Sequence, residues 1–173
     1  MNSKHILTEC YINTLLAEVV SSLSGCNHQH NRPKVLKTMK EKFSDSVALC
    51  VIDNDMLPKE KENYSLLEPT EHLSIYKHKE KPHYIVTVGK KGKAAEDFIL
   101  KNAQRCNITL AEYDLPTDLA GLRKLKRPSV QEIKKFQKLF STLKQHQHSD
   151  FHTLAKWIEQ FKKDPYSLNA HSL

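Results

Sequence analysis

The sequence predicts an α/β fold, a mostly parallel sheet flanked by helices with a C-terminal helical extension, and three observations carry that prediction. Val-Ala-Leu-Cys-Val-Ile, residues 47–52, is a short apolar run without helical spacing, the pattern of a strand buried on both faces. The earlier segment His-Ile-Leu-Thr, residues 5–8, reads the same way, and both runs stop abruptly at acid: Glu9 after the first, Asp53 and Asp55 after the second. From Leu115 onward the pattern is wholly helical.

In chain order, residues 4–9 predict the first strand and 11–23 a helix, whose Ile12, Leu15, Leu16, Val19, Val20 and Leu23 recur at spacings of three and four. Gly25 ends that helix. The loop Cys26–Arg32 leads to Pro33, which suits the first turn of a second helix carrying Val35, Leu36, Met39 and Phe43. A strand follows over 46–52. The segment Met56–Asn63 is too charged for a core element and predicts an exposed loop. Residues 73–76 and 83–88 predict two further strands, and 94–106 a helix with Phe98, Ile99 and Leu100 inward. Helices near 117–125, 129–146 and 150–163 complete the chain, two of them bracketed by Pro128 and Pro165. The expected organisation is a core over 1–110, a helical extension over 111–165 packed on it, and a frayed tail over 166–173.

At 173 residues the chain fits one domain of ordinary size. No apolar run approaches the length of a membrane span, and Lys4, His5 and Glu9 interrupt any leader-like region, so a cytoplasmic protein is expected, with no membrane partner. Cys10, Cys26, Cys50 and Cys106 are scattered, which argues against a disulfide framework. The net charge of +7 lies entirely in residues 87–173, and a basic half suits a polyanionic partner.

In open α/β sheets the ligand site lies beyond the carboxyl ends of the strands, so Glu9, Asp53 and Asp55 are expected to converge there. Carboxylates crowded together repel unless a cation sits among them, and a hard divalent ion, Mg²⁺ or Mn²⁺, is the usual occupant of an all-oxygen site. Glu96 falls in the first turn of a helix that follows a strand. It either joins that site or simply complements the helix dipole, a role Asp97 serves equally well. Gly89-Lys90-Lys91-Gly92-Lys93 reads either as a solvated basic turn or as a phosphate contact through Lys91 and Lys93, and it is not a Walker motif. The helical stretch 118–145 carries Arg123, Lys124, Lys126, Arg127, Lys134, Lys135, Lys138 and Lys144 against Asp118 and Glu132. Its polar face is that of a soluble helix or of a nucleic-acid contact. Cys26, His28 and His30 lack the paired spacing of a zinc site, and His28, His30 and Arg32 read instead as polar residues of a loop.

Ile6-Leu7-Thr8-Glu9, the Gly25 loop and Ala48-Leu49-Cys50-Val51-Ile52-Asp53-Asn54-Asp55 together resemble the Toprim domain, a Rossmann-like fold, and most nearly the small bacterial OLD-like and defence-associated Toprim proteins. The resemblance covers roughly the first 100 residues. It implies that Glu9 holds metal or handles a proton, that Asp53 and Asp55 hold metal, that Glu96 is an additional ligand which would let the site take two metals, and that the loop after Gly25 borders the site, making His28 and Arg32 candidates for contact with substrate. The implied function is Mg²⁺- or Mn²⁺-dependent phosphodiester chemistry on DNA or RNA, most simply a nuclease, serving in phage defence beside an ATPase partner. This chain departs from the pattern at Cys10, where many Toprim sequences have glycine, and at Asn13, where an acid is common. Those two positions favour the alternative, a catalytically inactive subunit that keeps the fold and binds nucleic acid or a protein.

Overall fold

Alternate residues of the central strands face opposite ways into two apolar layers, and this period of two organises the molecule. The computed structural model describes residues 2–55, 58–125, 127–166 and 168. Its strands are β1 (Ile6–Thr8), β2 (Asn27–His28), β3 (Ala48–Asp53), β4 (Tyr64–Pro69), β5 (Leu73–His78) and β6 (His83–Val88). They form one mixed sheet in the order β2-β1-β3-β6-β5-β4. The four strands from β2 to β6 run parallel, and β5 and β4 complete the sheet antiparallel. This is the expected α/β, Rossmann-like architecture.

The helices are α1 (Tyr11–Ser21), α2 (Arg32–Lys42), α3 (Pro58–Lys61), α4 (Ala95–Arg105), α5 (Leu119–Lys124), α6 (Val130–Gln145) and α7 (Asp150–Lys163). On one face, Ile6, Leu49, Val51, Tyr84, Val86 and Val88 pack with the buried sides of α1, α4, α6 and α7. On the other, Leu7, Ala48, Cys50, Ile52 and Ile85 meet Val35 and Met39 of α2. The faces are unequal because four helices cover one and a single long helix the other.

The C-terminal helices share the first layer's core. Phe136, Phe140, Phe151, Trp157 and Phe161 are buried in it, and the Phe161 ring meets Tyr84 of β6 edge to face at a centroid distance of 5.5 Å. Two lysines fasten them to the end of α1. Lys144 Nζ donates to Val19 O at 3.1 Å and Ser22 Oγ at 2.9 Å, and Lys162 Nζ donates to Ser21 O at 3.0 Å, satisfying carbonyls that a helix terminus leaves open. Lys144 therefore works as a helix cap, where the sequence placed it on the outer basic face.

Four expectations need correction. The loop 26–32 contains β2, a two-residue polar strand too short for any periodicity to reveal. The expected exposed loop 56–63 contains α3, while Met56 and Leu57 lie outside the described residues. Residues 64–69 form edge strand β4, which the sequence did not predict: Tyr-Ser-Leu-Leu-Glu-Pro shows no clean alternation, and its pairing with β5 shifts register between Leu66 and Glu68. An edge position tolerates both the bulge and the terminal proline. In the expected tail, Leu168 is buried and its carbonyl accepts from Lys77 Nζ at 3.3 Å; residues 167 and 169–173 lie outside the described residues. All four cysteines are free. No helix among the described residues is long and apolar enough to cross a membrane.

Candidate functional site

Parallel pairing brings the ends of β1 and β3 side by side, with Thr8 opposite Val51. The Glu9 amide extends that ladder by donating to Val51 O at 3.3 Å. The Glu9 carboxylate turns across the strand end, where its Oε2 accepts from the Asp53 amide at 3.0 Å. Asp53 closes β3, and its Oδ1 accepts from Asn13 Nδ2 at 3.1 Å. Asn13 lies in the first turn of α1 and is fully buried; its backbone amide donates to Cys10 Sγ at 3.4 Å, so a thiol serves as the helix cap. The site therefore meets the positive end of α1.

Glu96 enters from the opposite side. It is buried in the first turn of α4, which follows β6 through the Gly89 turn. Asp53 and Glu96 line one cleft of about 440 Å³ together with Cys10, Ile12, Ala94 and Arg123. The cleft thus holds two carboxylates and one guanidinium, with apolar walls.

These acids are short of positive charge. Burial pushes the Asp53 carboxyl up to about 7, and the neighbouring Glu9, Glu96 and Asp55 push the same way against the opposing Asn13 hydrogen bond. Glu9 is also raised, chiefly by burial, with the Asp53 amide and Arg32 pulling it back. Burial and the charge of Asp53 lift the Cys10 thiol to about 12, so at neutral pH it is neither a nucleophile nor an anionic ligand.

Asp55 is placed differently from the other acids. Its carboxylate pairs with Arg32 NH1, which also donates to the Asp55 carbonyl at 2.7 Å, while Arg32 Nε stands 3.5 Å from Glu60. Arg32, expected to contact substrate, is occupied by this pair.

Among the described residues, no three His, Cys, Asp or Glu side chains stand close enough together to hold an ion by themselves. Magnesium seldom needs such a cage, because it keeps several waters and takes one or two carboxylates plus phosphate oxygens. Asp53 and Glu96 on one cleft meet that requirement, and their oxygen-only donor set fits Mg²⁺ or Mn²⁺ better than zinc.

The basic turn is locked to the acids through Asn54. The Asn54 amide donates to Val88 O at 3.0 Å, its Nδ2 donates to Gly89 O at 2.9 Å, and Asn54 O accepts from Gly92 N at 3.1 Å. Gly89 has a φ of +85°, and a Cβ there would come within 3.0 Å of Lys93 O, so the close approach requires glycine. Lys90 pairs with Glu71 at 2.8 Å, and Lys91 and Lys93 of the same turn are exposed. Lys124 and Arg127 are exposed at and beyond the end of α5, and Lys126 lies outside the described residues.

His28 lies on the far side of Glu9, with its Nδ1 3.0 Å from Thr14 Oγ1 and its Nε2 2.9 Å from His30 Nδ1. The contacts that Asn13 and Asn54 make at this edge escaped the sequence reading. Asn13 carried two signals, its place in the first turn of the helix that directly follows Glu9 and its standing where the Toprim pattern commonly has an acid.

No protein-family model, curated protein or solved structure matches this chain.

Proposed function

We propose that the carboxyl edge of this sheet is a divalent-cation site for phosphodiester chemistry on nucleic acid, most simply hydrolysis by a nuclease. One observation carries the reading: Asp53, half-buried and crowded by like charge, shares a cleft with the buried Glu96 and with Arg123. Buried carboxylates so short of compensation are uncommon outside functional sites. The likeness of residues 6–9 and 48–55 to Toprim proteins points the same way, and by that likeness alone the pathway would be phage defence beside an ATPase partner.

Asp53 and Glu96 would hold Mg²⁺ or Mn²⁺, which when bound would offset charge developing on the phosphoryl oxygens. Asn13 fixes the rotamer of Asp53 from one side. Glu9, whose Oε2 is anchored by the Asp53 amide, would accept the proton of a water attacking phosphorus as the ester P–O bond breaks. Arg123, Lys91 and Lys93 would neutralise phosphate oxygens on both flanks of the cleft. Asp55 contributes through its charge and through Arg32.

The test is incubation with supercoiled plasmid and with RNA, in Mn²⁺ or in EDTA, beside an Asp53→Ala control. Cleavage that needs Mn²⁺ and disappears in the variant is expected, and cleavage that survives the substitution would end the proposal.

A second reading, a non-catalytic subunit that binds nucleic acid or a partner protein, is favoured by the Cys10 thiol in the cleft wall and by the neutralisation of Asp55. Calorimetric titration separates the two. The catalytic reading requires Mn²⁺ to bind, whereas a binding subunit takes up nucleic acid with no dependence on it.

A further inference from the structure

Beside the acidic edge stands a cluster of three rings that packing of the core does not explain. Tyr11, the first residue of α1, follows Cys10 directly and is 42% exposed, unlike the buried apolar face of the same helix. Its ring stacks on His28 at a centroid distance of 4.4 Å and an interplanar angle of 28°. His30 meets both edge on, at 4.3 Å from His28 and 6.4 Å from Tyr11.

The cluster is held rigid from beneath. Thr8 Oγ1, Thr14 Oγ1, His28 and His30 form a continuous hydrogen-bonded chain with steps of 2.7, 3.0 and 2.9 Å. His30 adopts a φ of +71°, a left-handed conformation that costs a non-glycine residue strain. In that conformation its ring meets His28 edge on, with the two rings hydrogen-bonded. Burial and the neighbouring His30 lower the pKa of His28, so that ring is neutral at pH 7.

We propose that Tyr11, backed by His28 and His30, is a stacking platform for an unpaired nucleobase, so the substrate class is single-stranded nucleic acid or an unpaired segment of it. The proposal rests on the phosphodiester reading of the adjacent cleft. Cys10 lines that cleft and Tyr11, the first residue of α1, follows it directly, so the ring stands at the same carboxyl edge of the sheet, on the β2 side of the acids. Strand-tracking proteins combine these two elements, a stacking ring and a charged groove. A base inside a duplex has both faces covered and gains nothing from such a ring.

The test is affinity in EDTA, where cleavage cannot occur, for a fluorescein-labelled 12-nucleotide single strand and for a hairpin duplex of the same sequence. Wild type should favour the single strand. Tyr11→Ala should weaken that binding by about 5- to 100-fold while leaving duplex affinity unchanged. Tyr11→Phe, which keeps the ring, should bind as wild type does. Tyr11 is half-exposed at a helix start, so thermal melts of the variants should coincide with that of wild type. Equal affinity of wild type and Tyr11→Ala for the single strand, or a parallel loss for the duplex, overturns the platform. Loss of Mn²⁺-dependent cleavage in Asp53→Ala concerns only the cleft, so each proposal can fail separately.

Discussion

Asn13 Nδ2 donates to Asp53 Oδ1 across 3.1 Å, joining the first turn of α1 to the last residue of β3 over 40 positions of sequence. The bond opposes the rise of the Asp53 pKa that burial, Glu9, Glu96 and Asp55 produce. Asn13 thus keeps Asp53 ionised more effectively than its surroundings alone would allow.

Removing that donor should change metal binding through its pH dependence. Asn13→Ala leaves Asp53 without its amide partner, so its carboxyl titrates higher and Mn²⁺ uptake should require a more alkaline solution. Calorimetric titrations between pH 6 and pH 8.5 should place the midpoint above that of wild type. An unchanged midpoint would show that the amide has no influence on the acid.

Stability should depend on Asp53 in the sense opposite to an ordinary ion-paired acid. Its folded pKa of about 7 stands above the unfolded value of 3.8, so the folded state holds the proton more tightly. The stabilisation is complete below the unfolded value and is lost as pH rises through 7, to a total on the order of 4 kcal/mol. Asp53→Asn removes this dependence. In urea melts without metal, the variant should gain stability relative to wild type at pH 8 and little at pH 4.

Divalent cations should reverse that deficit. Binding to the folded state alone stabilises by about 2.7 kcal/mol at a hundredfold excess over the dissociation constant. Wild type in saturating Mn²⁺ should melt higher than in EDTA, and Asp53→Asn should show a much smaller rise. A cation-induced rise of equal size in both proteins would place the ion elsewhere.

Asp150 should prove important for the fold. It is buried, with Oδ1 accepting from Thr70 Oγ1 at 2.9 Å and Oδ2 accepting from Arg105 NH1 at 3.1 Å. It therefore ties the start of α7 to the end of α4 and to the turn before β5. Asp150→Ala leaves Arg105 and Thr70 without that partner and should cost about 3 kcal/mol in urea melts. A change below about 1 kcal/mol would mean that the network behaves as a surface ion pair.

The C-terminal helices should be indispensable in the same way. Phe161→Ala empties a fully buried site against Tyr84, and about 3 to 5 kcal/mol of stability should be lost. A fragment ending at residue 110 should not fold, because α6 and α7 cover one face of the sheet.

The sequence by itself determined the strands of residues 6–8 and 48–53, the helices from α1 to α7 except α3, and the placement of Glu9 and Asp53 at carboxyl ends. Apolar periodicity is a local property, and chain direction fixes which end of a strand an acid occupies. Strand β4 was not legible, since an irregular edge strand is defined by its partner β5 more than by its own residues. Only the tertiary structure decided that Asp53 and Glu96 share a cleft while Asp55 turns to Arg32, and that Asn13 rather than a second acid meets Asp53. Those choices follow from the register of β3 against β1 and from where α2 and α4 start. Pairing across tens of residues sets them, and no neighbouring stretch of sequence encodes it.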